Sequence, residues 1–136
     1  MTWTLVDSGS AGFANGNTGH VYSFPGTAAV AGDLLTVSVS SDTTVSTPSG
    51  WSVATSDVNA IGAYLFYKVA AGGEPSVTIT TSGNFPTAIG YLRYSGAAGT
   101  PLDVVAHANS TAFNTTTPTA TTGTLAGVGE LSIAAA

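Results

Sequence analysis

Few residues in this 136-residue chain are equipped to do chemistry. Its histidines are His20 and His107. Its carboxylates are Asp7, Asp33, Asp42, Asp57, Glu74, Asp103 and Glu130, and its cations are Lys68 and Arg93. Nucleophilic hydrolysis needs a base beside the attacking group. Serine is so frequent here that a Ser, a His and an Asp can always be chosen, so their co-occurrence carries no information. The Gly-x-Ser-x-Gly elbow is absent. Glycoside hydrolysis needs two facing carboxylates. Most of the carboxylates lie in turn-like stretches, where Asp and Glu have structural roles, and Asp33 reads as a turn acceptor ahead of a strand. The histidines are isolated, with no His-x-His or His-Glu-x-x-His spacing. Asp57-Val58-Asn59 offers two oxygen ligands to calcium but lacks the acidic density of an EF-hand loop. Gly9 to Gly19 is glycine-rich without the Lys-Ser/Thr end of a phosphate loop, and reads as a flexible surface loop. No cysteine is present, which excludes disulfides, thiolate zinc sites and thiol catalysis. The expectation is a protein that is not an enzyme, with no cofactor and no metal.

The composition points to surfaces instead. Charged residues make up 7% of the chain, against about 25% in an average protein. The outside must therefore be covered by Ser, Thr, Asn, Gly and Ala. Such a surface costs little to strip of water, because few ions leave it, and it suits packing against other subunits. Two cations cannot neutralise a run of phosphates, so nucleic acid is excluded as a partner. Anionic membranes are excluded on the same ground. The first residues lack the basic and apolar regions of a signal peptide, and no apolar run approaches the length of a membrane-spanning helix.

The elements that must position these residues are strands. Leu35, Val37 and Val39 alternate with Thr36, Ser38 and Ser40, and Val77 and Ile79 alternate with Ser76, Thr78 and Thr80. Period-2 patterns of this kind predict strands with one face in a core and one face wet. Ala60 to Ala70 and Thr87 to Tyr94 are apolar at both parities and predict central strands covered on each side. Shorter strands are expected over Trp3 to Asp7, His20 to Phe24, Trp51 to Thr55, Leu102 to Ala108 and Glu130 to Ala135. Pro25-Gly26, Gly32-Asp33, Pro48-Ser49-Gly50, Gly72-Gly73-Glu74-Pro75 and Ser82-Gly83-Asn84 supply turns between them. No segment shows a helical period. The predicted fold is all-β, an antiparallel, jelly-roll-like β-sandwich forming a single domain over 1–136, with 110–124 a Thr-rich extended segment or arm.

Three details stay open in the sequence. Gly32-Asp33-Leu34-Leu35-Thr36-Val37 has the shape of Gly129-Glu130-Leu131-Ser132-Ile133-Ala134. Either the last strand closes the first sheet or a second unit begins there. Trp51 either caps the core or stacks on a ligand. Lys68 and Arg93 stand near the ends of aromatic strands; they pair with Glu74 or an Asp, lie over Tyr rings, or end in solvent, which is the ordinary reading.

The run from Gly32 to Gly96 carries Gly-Asp-Leu-Leu with alternating Val, Pro48-Ser49-Gly50-Trp51, Leu65-Phe66-Tyr67-Lys68-Val69-Ala70, Gly73-Glu74-Pro75 and Tyr91-Leu92-Arg93-Tyr94-Ser95-Gly96. In that order these pieces resemble a β-sandwich module of tailed-bacteriophage virion proteins, found in decoration, minor capsid and tail-associated subunits. The resemblance covers about half the chain and implies architecture more than role. It implies a virion structural protein, synthesised in the host cytoplasm, whose partners are itself and a major capsid or tail protein. A trimer is one assembly that would cover the sheet edges. Trp3 and Phe113, apolar residues in polar surroundings, are the expected interface anchors. The alternative is a carbohydrate-binding sandwich of a tail fibre or adhesin, with Tyr64, Tyr67, Tyr91, Tyr94 and Trp51 as stacking rings.

Overall fold

The computed structural model describes residues 3–58 and 61–96, together with Pro101, Ala106, Leu131 and Ile133. The strands expected over Leu102 to Ala108 and Glu130 to Ala135 and the segment 110–124 lie outside the described residues, apart from those isolated positions. Eight strands are present: β1 (Thr4–Phe13), β2 (Gly19–Ser23), β3 (Leu34–Ser41), β4 (Val45–Ser46), β5 (Ser52–Asp57), β6 (Gly62–Val69), β7 (Ser76–Thr81) and β8 (Thr87–Ser95). They form a five-stranded sheet in the order β1-β8-β3-β6-β5 and a three-stranded sheet in the order β2-β7-β4. Every pairing is antiparallel. The pairs β1·β8, β2·β7 and β3·β6 are nested, as in a long hairpin rolled up on itself. Every connection except β5–β6 crosses between sheets. This is the order of a jelly roll, with β5 hydrogen-bonded to β6 rather than to β4.

Alternation decides which side chains meet between the sheets. Leu35, Val37 and Val39 of β3, Tyr64 and Phe66 of β6 and Ile89 and Tyr91 of β8 point inward from the larger sheet. Tyr22, Val45, Val77 and Ile79 face them from the smaller one. Full burial of side chains such as Phe66 or Ile79 contributes about 1.5–3 kcal/mol each. The turn before β5 is fixed by Gly50, whose φ of 77° is open to glycine, while the Trp51 N–H donates to the Pro48 carbonyl at 3.1 Å.

Two expectations need correcting. Gly9 to Phe13 is not a flexible loop: it extends β1, in register with Tyr91 to Thr87 of β8. The glycine at position 9 is a packing requirement. A Cβ there would collide with the Tyr22 hydroxyl and crowd Pro25 Cγ. The face of β3 opposite the core is also not wet throughout, since Thr36 is only 4% exposed.

The close approach of Gly9 and Tyr22 predicts a coupled pair. Gly9→Ala is expected to destabilise by about 1–3 kcal/mol through overpacking, and Tyr22→Phe, which removes the obstructing hydroxyl, to recover part of that loss. Urea melts of both single variants and the double variant measure the coupling; simple additivity would contradict the contact.

Candidate functional site

Charge is concentrated at one end of the sandwich. Arg93 shares its parity in β8 with Ile89 and Tyr91, so it points inward and is 3% exposed. Its Nε donates to Asp33 Oδ2 at 2.7 Å and its Nη1 to the Thr27 carbonyl at 2.7 Å. The same Asp33 oxygen accepts the Val30 N–H at 3.0 Å. The Asp33 carbonyl accepts the Ala70 N–H at 2.8 Å. The buried Asp33 carboxylate thus ties β8 to the crossover from β2 to β3, and its main-chain carbonyl holds the end of β6. The solvated strand end expected for Arg93 is incorrect. Desolvating a guanidinium demands a counter-charge, and the inward parity of Tyr91, Arg93 and Ile89 was the signal for it. The expected turn-acceptor role of Asp33 is present, with the ion pair added.

Lys68 also pairs, with Glu74 Oε1 at 3.1 Å. Glu74 Oε1 and Oε2 accept the N–H groups of Ala71 at 2.7 Å and Gly72 at 3.0 Å. Burial pushes the Glu74 carboxyl upward, but these donors and the Lys68 ammonium outweigh it and hold it below its ordinary value. Tyr91 is pushed up to about 12, chiefly by burial, with Asp7, Tyr22 and Asp33 adding to the shift against the opposing Arg93. Its ring stacks on Phe24 at 4.3 Å, and Phe24 in turn packs on Trp51 at 6.4 Å. Trp51 therefore caps the core.

The remaining candidates are dispersed. Asp7 Oδ1 accepts the Ser8 N–H at 2.9 Å, while its buried Oδ2 faces Gly26 without a hydrogen-bond partner. His20 is buried against Phe13 at 4.9 Å, with no partner for Nε2. His107, Asp103, Glu130, Asn59 and Phe113 lie outside the described residues. Asp42 is exposed in the β3–β4 connection and Asp57 ends β5. Among the described residues, no three His, Asp or Glu side chains are grouped to hold a metal ion. Of the ring candidates, Tyr64 and Tyr91 belong to the core, and Tyr64 Oη accepts the Val45 N–H at 3.1 Å. Tyr67 and Tyr94 are half-buried on the opposite face. Trp3 is half-buried, its ring edge-on to Tyr94 at 6.4 Å.

What is left exposed is neutral. The outward positions of β2 and β7 are Gly19, Val21, Ser23, Ser76, Thr78 and Thr80, and Val21 is 59% exposed. Ile61 and Phe85, each about half exposed or more, flank Gly62 and Thr87. Register places both at the end of the sandwich opposite Arg93. On the outer face of the five-stranded sheet lies a depression of about 380 Å³. Ser8, Ser10, Thr36, Ser38, Leu65, Leu92 and Ile133 are among its lining residues. Its Thr36 and Ser38 hydroxyls are directed at the Leu92 and Gly90 carbonyls, at 3.4 and 3.5 Å. Compared with known proteins, the chain matches no family model, no curated protein and no solved structure.

Two outcomes follow from this electrostatic arrangement. Asp33→Ala, which strands the Arg93 guanidinium, is expected to cost about 3–5 kcal/mol in a denaturant melt; a loss within the error of the melt would show that the pair carries nothing. The second outcome is a pH signature. A depressed carboxylate stabilises above the unfolded Glu range, about pH 4.3, and that contribution disappears as pH falls through the folded Glu74 value. The stability gap between parent and Glu74→Gln should therefore close in acid. Tyr91, with its raised value, contributes fully below about pH 10 and progressively less as pH rises to about 12. Thermal melts of Tyr91→Phe should fall less steeply than the parent's across that interval, and equal slopes would refute the assignment.

Proposed function

We propose that this protein is a structural subunit of a phage particle, a capsid-decoration or minor capsid protein that attaches by docking neutral surfaces of its sandwich onto companion subunits. The observation that supports this reading most is the placement of charge. The chain's two cations are both held in ion pairs at one end. Among the described residues, the outward faces of β2, β3, β7 and β8 carry no charged side chain. Docking such faces removes few ions from water, so shape complementarity rather than charge pairing sets the affinity. A standard interface buries about 800 Å² on each partner, about a tenth of the 7801 Å² that this chain exposes.

The exposed apolar side chains suggest where attachment occurs. Ile61 and Phe85 share one end of the sandwich. Trp3 stands edge-on to Tyr94 near Leu5, which is 52% exposed, so the two apolar side chains lie beside one another at that edge. The carbohydrate-binding alternative is less well supported, because Tyr64 and Tyr91 are buried and Trp51 is engaged by Phe24.

Co-sedimentation with empty capsids tests the proposal. The parent protein is expected to pellet with particles, and Trp3→Ser or Phe85→Ser to weaken attachment by about tenfold or more, the loss typical of an anchor residue. A monomer that ignores particles and instead binds one sugar selectively on a glycan array would overturn the assignment in favour of carbohydrate recognition.

A further inference from the structure

The outer faces of the two sheets differ in burial. In the three-stranded sheet, the outward positions of β2 and of the middle of β7 are exposed, as a free face should be. The five-stranded sheet breaks that rule over one half of its outer face. Leu34 and Thr36, outward by register, are 5% and 4% exposed. Their neighbours Tyr67, Leu92 and Tyr94 are half-buried, whereas Ala63 and Ala88 at the other end of the same face are exposed. Thr36 lies between the large side chains of Tyr67 and Leu92, whereas Thr80 lies between Gly19 and Ser46 and Thr78 opposite Val21. Two contacts from outside the eight strands reach this half of the face: Trp3 stands edge-on to Tyr94 at 6.4 Å, and Ile133 lines the same depression as Thr36, Ser38, Leu65 and Leu92.

We infer that this half of the outer face is a docking surface for Leu131 and Ile133 of the same chain, with Ile133 forming one wall of the depression. The chemistry fits an aliphatic occupant. The Thr36 and Ser38 hydroxyls are turned toward sheet carbonyls, which leaves their carbon atoms and the Leu65 and Leu92 side chains to receive a branched apolar group. The depression also contains no charged side chain among its lining residues, so seating Ile133 strips no ion of water. Leu131 and Ile133 are both half-buried and two residues apart, the spacing that puts side chains on one face of an extended segment. The consequence for assembly is that the two outer faces are not equivalent. The β2–β7 face is open to partners, and one half of the β3–β8 face is partly covered by the chain itself.

Because the chain contains no cysteine, single thiols report this cover directly. In the full-length protein, the thiol introduced by Ser38→Cys is expected to react with a maleimide at least about tenfold more slowly than that introduced by Thr78→Cys on the open face. Adding Ile133→Asp should bring the Ser38→Cys rate up to the Thr78→Cys rate with the strand circular dichroism retained, and Ile133→Leu should preserve protection. Equal rates at the two positions in the parent background, or a Ser38→Cys rate unmoved by Ile133→Asp, would overturn the inference. If Ile133→Asp prevents folding, cross-linking Ser38→Cys to Ile133→Cys with a short bis-maleimide decides the question. A bridge within one chain supports the assignment. A bridge only between chains would replace it with docking of a second copy, and no bridge would refute it.

Discussion

A guanidinium that is almost entirely withdrawn from water must be met by a fixed negative charge, and that requirement organises one end of this molecule. Arg93 is inward because it shares the parity of Ile89 and Tyr91, and Asp33 meets it at 2.7 Å. Through Thr27, Val30 and Ala70 the pair fixes the crossover between sheets, where the chain leaves β2 and begins β3. Breaking a buried pair is far more costly than never having it, so the pair acts on specificity of the fold as much as on stability. It holds the residue just before β3 against Arg93 of β8 and Ala70 at the end of β6. The hydrophobic alternation then determines the rest of the core.

The same pairing has an external consequence. With Lys68 engaged by Glu74 and Arg93 by Asp33, positive charge is confined to one end, and the described sandwich faces outward with Ser, Thr, Ala and Val. Attachment through such faces, as proposed for this protein, would gain from apolar contact and fit. It would gain little from long-range steering, which depends on charge. The internal cover inferred at Ile133 divides the surface further, shielding part of one face and leaving the β2–β7 face open.

Much of this was legible in the sequence because strands advertise themselves by parity. The alternation of Leu35, Val37 and Val39, and of Val77 and Ile79, identified inward residues correctly, and the turn glycines bounded β3, β5 and β7. The double-sided apolar runs identified β6 and β8 as central strands. What parity could not convey was contact across the sandwich. Gly9 reads as a loop residue in isolation; its pairing with Tyr91 of β8 puts it in β1, and the Tyr22 hydroxyl fills the space a side chain would need. The two-residue β4 is too short to show a period. Arg93 was a legible exception, since its parity pointed inward, but the partner 60 residues away was not. The expected anchors fared differently: Trp3 lies half-buried on its own sheet against Tyr94, and Phe113 lies outside the described residues.

The salt dependence of the proposed attachment to capsids separates docking of uncharged faces from charge pairing most directly. Screening at about 0.5 M salt shortens the reach of exposed charges to roughly half its value at about 0.1 M. An interface built from Ser, Thr, Val and aromatic side chains should hold its affinity across that range to within a few fold. A steep decline, of a hundredfold or more, would mean that ions carry the contact and would contradict this account of how the protein works.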